Sequence, residues 1–140
     1  MSGVARLVQA MSEAEFQRQV TDLAEVLGCS WAHFRPAQTK HGWRTPVSGP
    51  LGAGFPDFVL LRVRDRRLIF AELKREGQKP TANQAAVLAA LGELGGWWFD
   101  QAGTRGLRVE VHVWHPSDLR DPIETSPIYV ALHGNDGGAR

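Results

Sequence analysis

The chain has 140 residues, 43% of them hydrophobic and 22% charged, and its formal net charge is +1. That length suits one domain around one sizeable core, and no stretch approaches the ~20 consecutive apolar residues of a membrane span. A lone cysteine, Cys29, excludes a disulfide framework, and the N-terminus lacks the apolar core of a signal peptide, so a reducing cytoplasm is the expected location.

Residues 1–11 show no clear period and are expected to form a flexible N-terminus. Ser12-Glu13-Ala14-Glu15 fits a capping box, with Ser12 as N-cap and Glu15 reaching back to it. Phe16, Val20, Leu23, Ala24 and Leu27 then recur at helical spacing, and Gly28 stops the helix. Glu13 lies three residues before Phe16 and seven before Val20, on the core-facing stripe, whereas Glu15 points off it. Two readings of Glu13 stand: a carboxylate turned towards a buried charged site, or a first-turn acid favoured by the helix dipole. Trp31 to Arg35 reads as the first strand, with Trp31, His33 and Arg35 on one face, and Pro36 ends it. Residues 36–53 form a long loop carrying Lys40, His41, Trp43 and Arg44. Trp43 there either offers a stacking surface to a nucleic acid or pins the loop to the core.

Phe58 to Val63 and Leu68 to Ala71 read as a β-hairpin around Arg64-Asp65-Arg66-Arg67, apolar on both faces and therefore central in a sheet. Gly52, Gly54 and Pro56 shape the entry to its first strand. Thr81-Ala82-Asn83-Gln84 is a second capping box, opening a helix through about Leu94 with Val87, Leu88, Leu91 and Leu94 as its stripe. Gln84 lies on its inward face and either caps alone or also reaches the sheet. Trp97-Trp98-Phe99 and Leu107 to Trp114 are strands, with Val109, Val111 and Val113 on one face and Glu110 and His112 on the other, read as surface. Pro116-Ser117-Asp118 starts a short helix. Residues 121–140 form a tail expected to be partly disordered, in which Ile128 to Leu132 either adds an edge strand or meets a partner.

The chemistry concentrates in the hairpin. Asp57 opens its first strand, while Glu72 and Lys74 close the second. Residues two apart on a strand share a face, so Glu72 and Lys74 point one way and Leu73 the other. A buried charge is costly unless it is paired or binds a metal, and two facing carboxylates drive one towards protonation. A hard divalent cation relieves that conflict, since oxygen ligands suit Mg²⁺ or Mn²⁺, and leaves the lysine free to meet a phosphate or a water. The basic residues cluster as well: Arg35, Lys40, His41 and Arg44 occur in an acid-free stretch, and Arg62, Arg64, Arg66, Arg67, Lys74, Arg75 and Lys79 crowd the hairpin. Such patches track a phosphate backbone even at a charge sum near zero, although arginines on a turn are as readily just solvated. There is no P-loop, no Cys/His cluster for zinc and no nucleophile elbow.

Gly54-Phe55-Pro56-Asp57 followed by Phe70-Ala71-Glu72-Leu73-Lys74 resembles the PD-(D/E)xK nuclease signature. Within that superfamily the chain is similar to the VRR-NUC group, the virus-type replication-repair nucleases. Glu13-Ala14-Glu15-Phe16-Gln17, Gln84 and Trp114-His115-Pro116-Ser117-Asp118 fall in step with that pattern, so the likeness spans residues 12–120. The element order α-β-β-β-α-β-β is α/β, a mixed central sheet flanked by helices, and resembles the restriction-endonuclease-like core.

The resemblance implies a Mg²⁺- or Mn²⁺-dependent DNA endonuclease. In it Asp57 and Glu72 hold the cation with the Leu73 carbonyl as a further ligand, Lys74 orients the attacking water, and Gln84 and Glu13 complete the shell. It also implies cleavage leaving a 5′-phosphate, and sets a histidine such as His33 near the substrate path; a bond from His33 to a nearby backbone group is the other reading. Arg35, Lys40, Arg44 and Arg75 are the expected DNA contacts. Stand-alone members are similar to junction-resolving homodimers, which points to branched DNA such as four-way junctions, and a short nuclease of this kind suits a phage origin and a host cytoplasm. Two other classes fit the same residues: a non-catalytic DNA-binding module that keeps the fold, and a structural domain whose acids are satisfied by salt bridges.

Overall fold

Local sequence rules set most of the elements in the computed structural model, which describes residues 3–34, 37–44, 47–103 and 106–134. In chain order they are helices α1 (Gly3–Ala10) and α2 (Glu13–Val26), strands β1 (Ser30–His33), β2 (Ala37–Thr39), β3 (Gly42–Arg44), β4 (Phe58–Arg62) and β5 (Arg67–Leu73), helix α3 (Ala82–Glu93), strands β6 (Gly96–Phe99) and β7 (Gly106–Trp114), and helix α4 (Pro127–His133). Both capping boxes form. The Ser12 hydroxyl accepts from the Glu15 amide while the Glu15 carboxylate accepts from the Ser12 amide, and Thr81 and Gln84 repeat the exchange.

Five strands make one mixed sheet in the order β1-β4-β5-β7-β6. β4 and β5 pair antiparallel with Phe58 opposite Ala71, while β5 and β7 run parallel, joined by the crossover through α3 and β6. β5 therefore lies at the centre, as its two-faced apolar run requires. One face of the sheet presents Phe58, Leu60, Ile69, Ala71, Leu73 and Trp114, and buries them against Phe16, Val20 and Ala24 of α2. α3 packs on the other side with Val87 as its buried residue. The rest of its expected stripe is only half covered, and Leu94 is exposed. β6, an edge strand, leaves Trp97, Trp98 and Phe99 exposed.

Four expectations need correction. Residues 3–10 form a helix rather than a frayed end. Residues 36–53, expected as loop, contain the β2–β3 hairpin and a 3-10 turn at Gly52–Gly54. Ile128 to Leu132 is neither an edge strand nor a free partner surface: Ser126 caps α4, and Ile128, Ala131 and Leu132 join the core, so the packed unit runs past residue 120.

The fourth concerns the hairpin arginines. Arg62 is 2% exposed, and its Nη1 donates to the carbonyls of Leu27 and Leu132, the unsatisfied ends of α2 and α4. Arg67 is buried too and grips Glu110 through Nε at 2.6 Å and Nη2 at 2.9 Å, so neither Arg67 nor Glu110 is a surface group. Burial opposes ionisation of Glu110, but hydrogen bonds from His112 and Arg67, and their charges, hold its carboxyl down at about 2. Arg64 and Arg66 do lie exposed on the turn. These two buried arginines tie the far end of the hairpin to both helices and to β7, which leaves its other end to carry the site.

Candidate active site

The entry to β4 is shaped by a close approach. A Cβ on Gly54 would sit 2.3 Å from the Asn83 carbonyl oxygen and 2.9 Å from a Val87 methyl, so only glycine lets this segment dock on the first turn of α3. Pro56 is buried beside it, and the chain then delivers Asp57 directly opposite Glu72. The Asp57 carbonyl accepts from the Phe34 amide at 2.8 Å, which adds β1 to the support.

Asp57 and Glu72 are tied to each other's backbones. Asp57 Oδ2 accepts from the Leu73 amide, and Glu72 Oε2 accepts from the Asp57 amide, each at 3.2 Å. Glu72 is only 1% exposed. Its Oε1 accepts from Gln84 Nε2 at 2.9 Å and lies 3.2 Å from Lys74 Nζ, whose side chain is 14% exposed. Leu73 points away into the core, as strand alternation requires. Gln84 thus performs both of its possible roles at once: its Oε1 caps α3 and its Nε2 reaches the sheet.

One ammonium faces two carboxylates, and the imbalance shows in Asp57. Burial first, then the charge of Glu72, push its pKa up to about 7, against the bond from the Leu73 amide and the charge of Lys74. The two carboxyls are close enough to hydrogen-bond, and that bond also holds the Asp57 proton more tightly than on a free carboxyl. Glu13 is half-buried and belongs to the same field: burial and the Asp57 charge raise its pKa, while Lys74 and Arg75 lower it. Glu15 is exposed and engaged in its cap, as its position on the helix predicts.

Among the described residues no group of three or more His, Cys, Asp or Glu side chains is arranged to hold a metal ion. The donor set is two touching carboxylates that, when both are ionised, carry more negative charge than the one ammonium offsets. That set fits Mg²⁺, which is commonly held by one or two carboxylates with waters completing its shell. It does not fit zinc, for which thiolate or imidazole donors are wanted.

The expected DNA contacts are less concentrated. His33 stacks on Phe58 with ring centroids 4.3 Å apart and planes at 11°, in the layer of Phe58 rather than that of Asp57 and Glu72. Lys40 is exposed at the tip of the β2–β3 hairpin, Arg44 lies on β3, and Arg75 is exposed next to Lys74. Arg35 lies outside the described residues. Sequence reasoning missed the contacts behind Lys74. The Lys74 amide donates to the Trp114 carbonyl, and Glu76 holds Ser117. The Trp114–Asp118 motif was visible in the sequence, but nothing there named what it would touch.

No protein-family profile matches the chain, and no curated protein matches it. Among solved structures, the chain is similar to one described as a VRR_NUC domain, with probability 1.00, a TM-score of 0.45 and 21% identity, over 74% of this chain and 86% of that one.

Proposed function

We propose that this chain is a Mg²⁺- or Mn²⁺-dependent nuclease that hydrolyses DNA phosphodiester bonds at the Asp57, Glu72 and Lys74 site. The observation that carries the reading is the contact between two acids from adjacent strand ends, one of them pushed up to about 7, with a single lysine on the same strand face. Asp57 and Glu72 are the groups that would hold the cation, with the Leu73 carbonyl as a further oxygen donor. A cation of this kind, when bound, polarises the scissile phosphate and lowers the pKa of a bound water. Gln84 orients the Glu72 carboxylate through its 2.9 Å bond and so keeps one lone-pair direction fixed. Lys74 holds positive charge beside the carboxylates, where it can orient the attacking water and stabilise charge developing on the phosphate. Glu13 extends the acidic wall from α2, and burial first, then the charge of Asp57, raise its pKa. Arg75, Lys40, Arg44 and Arg35 are the cations proposed to meet the flanking phosphates.

The resemblance in sequence favours branched DNA, four-way junctions among them, cut by a symmetric homodimer. No described helix is long and apolar enough to cross a membrane. Labelled junction, flap and duplex DNA, incubated with Mg²⁺, Mn²⁺ or EDTA, test the reading. Metal-dependent cleavage that Lys74→Ala abolishes while binding persists supports the nuclease. Binding without cleavage under every metal supports a DNA-binding module, and neither leaves the Glu72–Lys74 pair a structural salt bridge.

A further inference from the structure

The segment between Lys74 and Thr81 joins two groups that meet on Glu72 Oε1, since Lys74 precedes it and Gln84 follows it by one turn of α3. It makes a tight turn, with the Gln78 amide donating to the Arg75 carbonyl and Gly77 at φ +81, which puts Arg75 and Lys79 at its exposed ends. Exposed turns of this kind are ordinarily loose, and this one is stitched to a distant segment. Glu76 Oε2 accepts from the Ser117 amide at 3.0 Å and Glu76 Oε1 from the Ser117 hydroxyl at 2.8 Å. His115 Nε2 lies 2.7 Å from the Gln78 carbonyl, and the His115 amide donates to Asp118 at 2.8 Å, which braces the receiving turn. Pro116 between them is buried and anchors that turn to the body of the protein.

We infer that Glu76, Ser117 and His115 form a clamp that holds the Arg75–Lys79 turn in place as a phosphate grip, making them positioning residues for substrate binding. The inference rests on the nuclease reading only for its kinetic arm. An acid placed between two cations opposes DNA binding by its charge alone, so Glu76 needs another reason to be there. Holding the turn is that reason. Lys74 keeps its own anchors, its amide on Trp114 and its Nζ on Glu72, so loosening the clamp leaves the reacting centre standing.

The sign of one substitution decides. Glu76→Ala removes a negative charge, and on electrostatics alone it tightens DNA binding. The clamp requires the opposite: an affinity for labelled duplex DNA in EDTA weaker by about five- to tenfold, the size expected when one or two positioned phosphate contacts are lost. Ser117→Ala weakens binding in the same direction, and Ser117→Thr, which keeps the hydroxyl, restores it. In an Arg75→Ala/Lys79→Ala background Glu76→Ala changes affinity by less than about twofold, because the groups it positions are gone. Amide hydrogen exchange over residues 75–80 of the free protein rises in Glu76→Ala and Ser117→Ala. In cleavage assays KM rises with kcat within about twofold. Tighter binding by Glu76→Ala, unchanged exchange in the turn, an additive effect in the double-cation background, or no DNA binding by the unaltered protein each overturns the clamp. A protein that binds DNA with the clamp signature but cleaves nothing refutes the nuclease reading and leaves the clamp standing.

Discussion

Replacing Asp57 by Asn separates an acidic pair built for a cation from an ordinary ion pair. The asparagine keeps the shape of the protonated acid: its Oδ1 can still accept from the Leu73 amide, and its Nδ2 can donate towards Glu72. What it removes is a titration. The folded pKa of about 7 lies above the reference value of 3.8, so the folded state holds the proton more tightly than the unfolded chain. Stability from this group is therefore full below about pH 4, falls as the pH rises through the interval, and is lost by about pH 7. A gap of about three pKa units corresponds to ~4 kcal/mol, and solvent screening at the partly buried Asp57 trims the expected difference to ~2–4 kcal/mol. Without metal, Asp57→Asn should thus be more stable than the parent by ~2–4 kcal/mol at pH 8 and by less than ~1 kcal/mol at pH 4. For a chain of this length that is a rise in Tm of roughly 10 °C at the higher pH. Urea unfolding followed by circular dichroism in EDTA at the two pH values measures it. Adding Mg²⁺ at pH 8 should stabilise the parent and leave Asp57→Asn unmoved. A variant less stable than the parent at pH 8, or a difference that does not change with pH, refutes the reasoning and favours a structural role for the acids.

On the proposed mechanism Lys74→Ala should lower kcat by at least about a hundredfold while DNA affinity changes by no more than a fewfold, since Lys74 is proposed to act on the reacting phosphate rather than along the backbone track; single-turnover cleavage and a binding titration read the two separately. Arg67→Ala should destabilise the fold by about 3–5 kcal/mol, because Glu110 is left buried without its bidentate partner. In the parent, the depressed Glu110 pKa means its contribution is present above about pH 4.5 and lost as the pH falls towards 2, so Arg67→Ala should flatten the acid limb of the stability curve. Gly54→Ala forces its new methyl against the Asn83 carbonyl, backbone that cannot swing aside, and should cost at least ~1–3 kcal/mol in thermal unfolding. It should also reduce cleavage in excess of that loss, since the displaced first turn of α3 carries Gln84.

The legible parts of this protein are those in which neighbours along the chain decide the outcome. Both capping boxes, the turn after Arg62, the alternation that separates Leu73 from Glu72 and Lys74, and the preference for Glu13 over Glu15 follow from periods of 2 and 3.6 and from local hydrogen bonds. The pairing of Asp57 with Glu72 was legible for the same reason, because a hairpin's register is fixed by its own turn. Ile128 to Leu132 was not: a short apolar run reads equally as strand or helix, and only packing with α2 and the sheet, which takes Ile128, Ala131 and Leu132 into the core, decides for α4. Arg62 and Arg67 read only as part of a basic cluster, phosphate-facing or solvated, because their partners, the carbonyls of Leu27 and Leu132 and the carboxylate of Glu110, lie 35, 70 and 43 residues away. Glu76 and Ser117 are 41 apart, and nothing local foretells that they meet. Sequence alone thus determined the capped helices, the central hairpin and the acids at its open end, whereas burial and long-range partners, which depend on how the elements stack, decided which charges became structural and which stay gathered around Asp57 and Glu72.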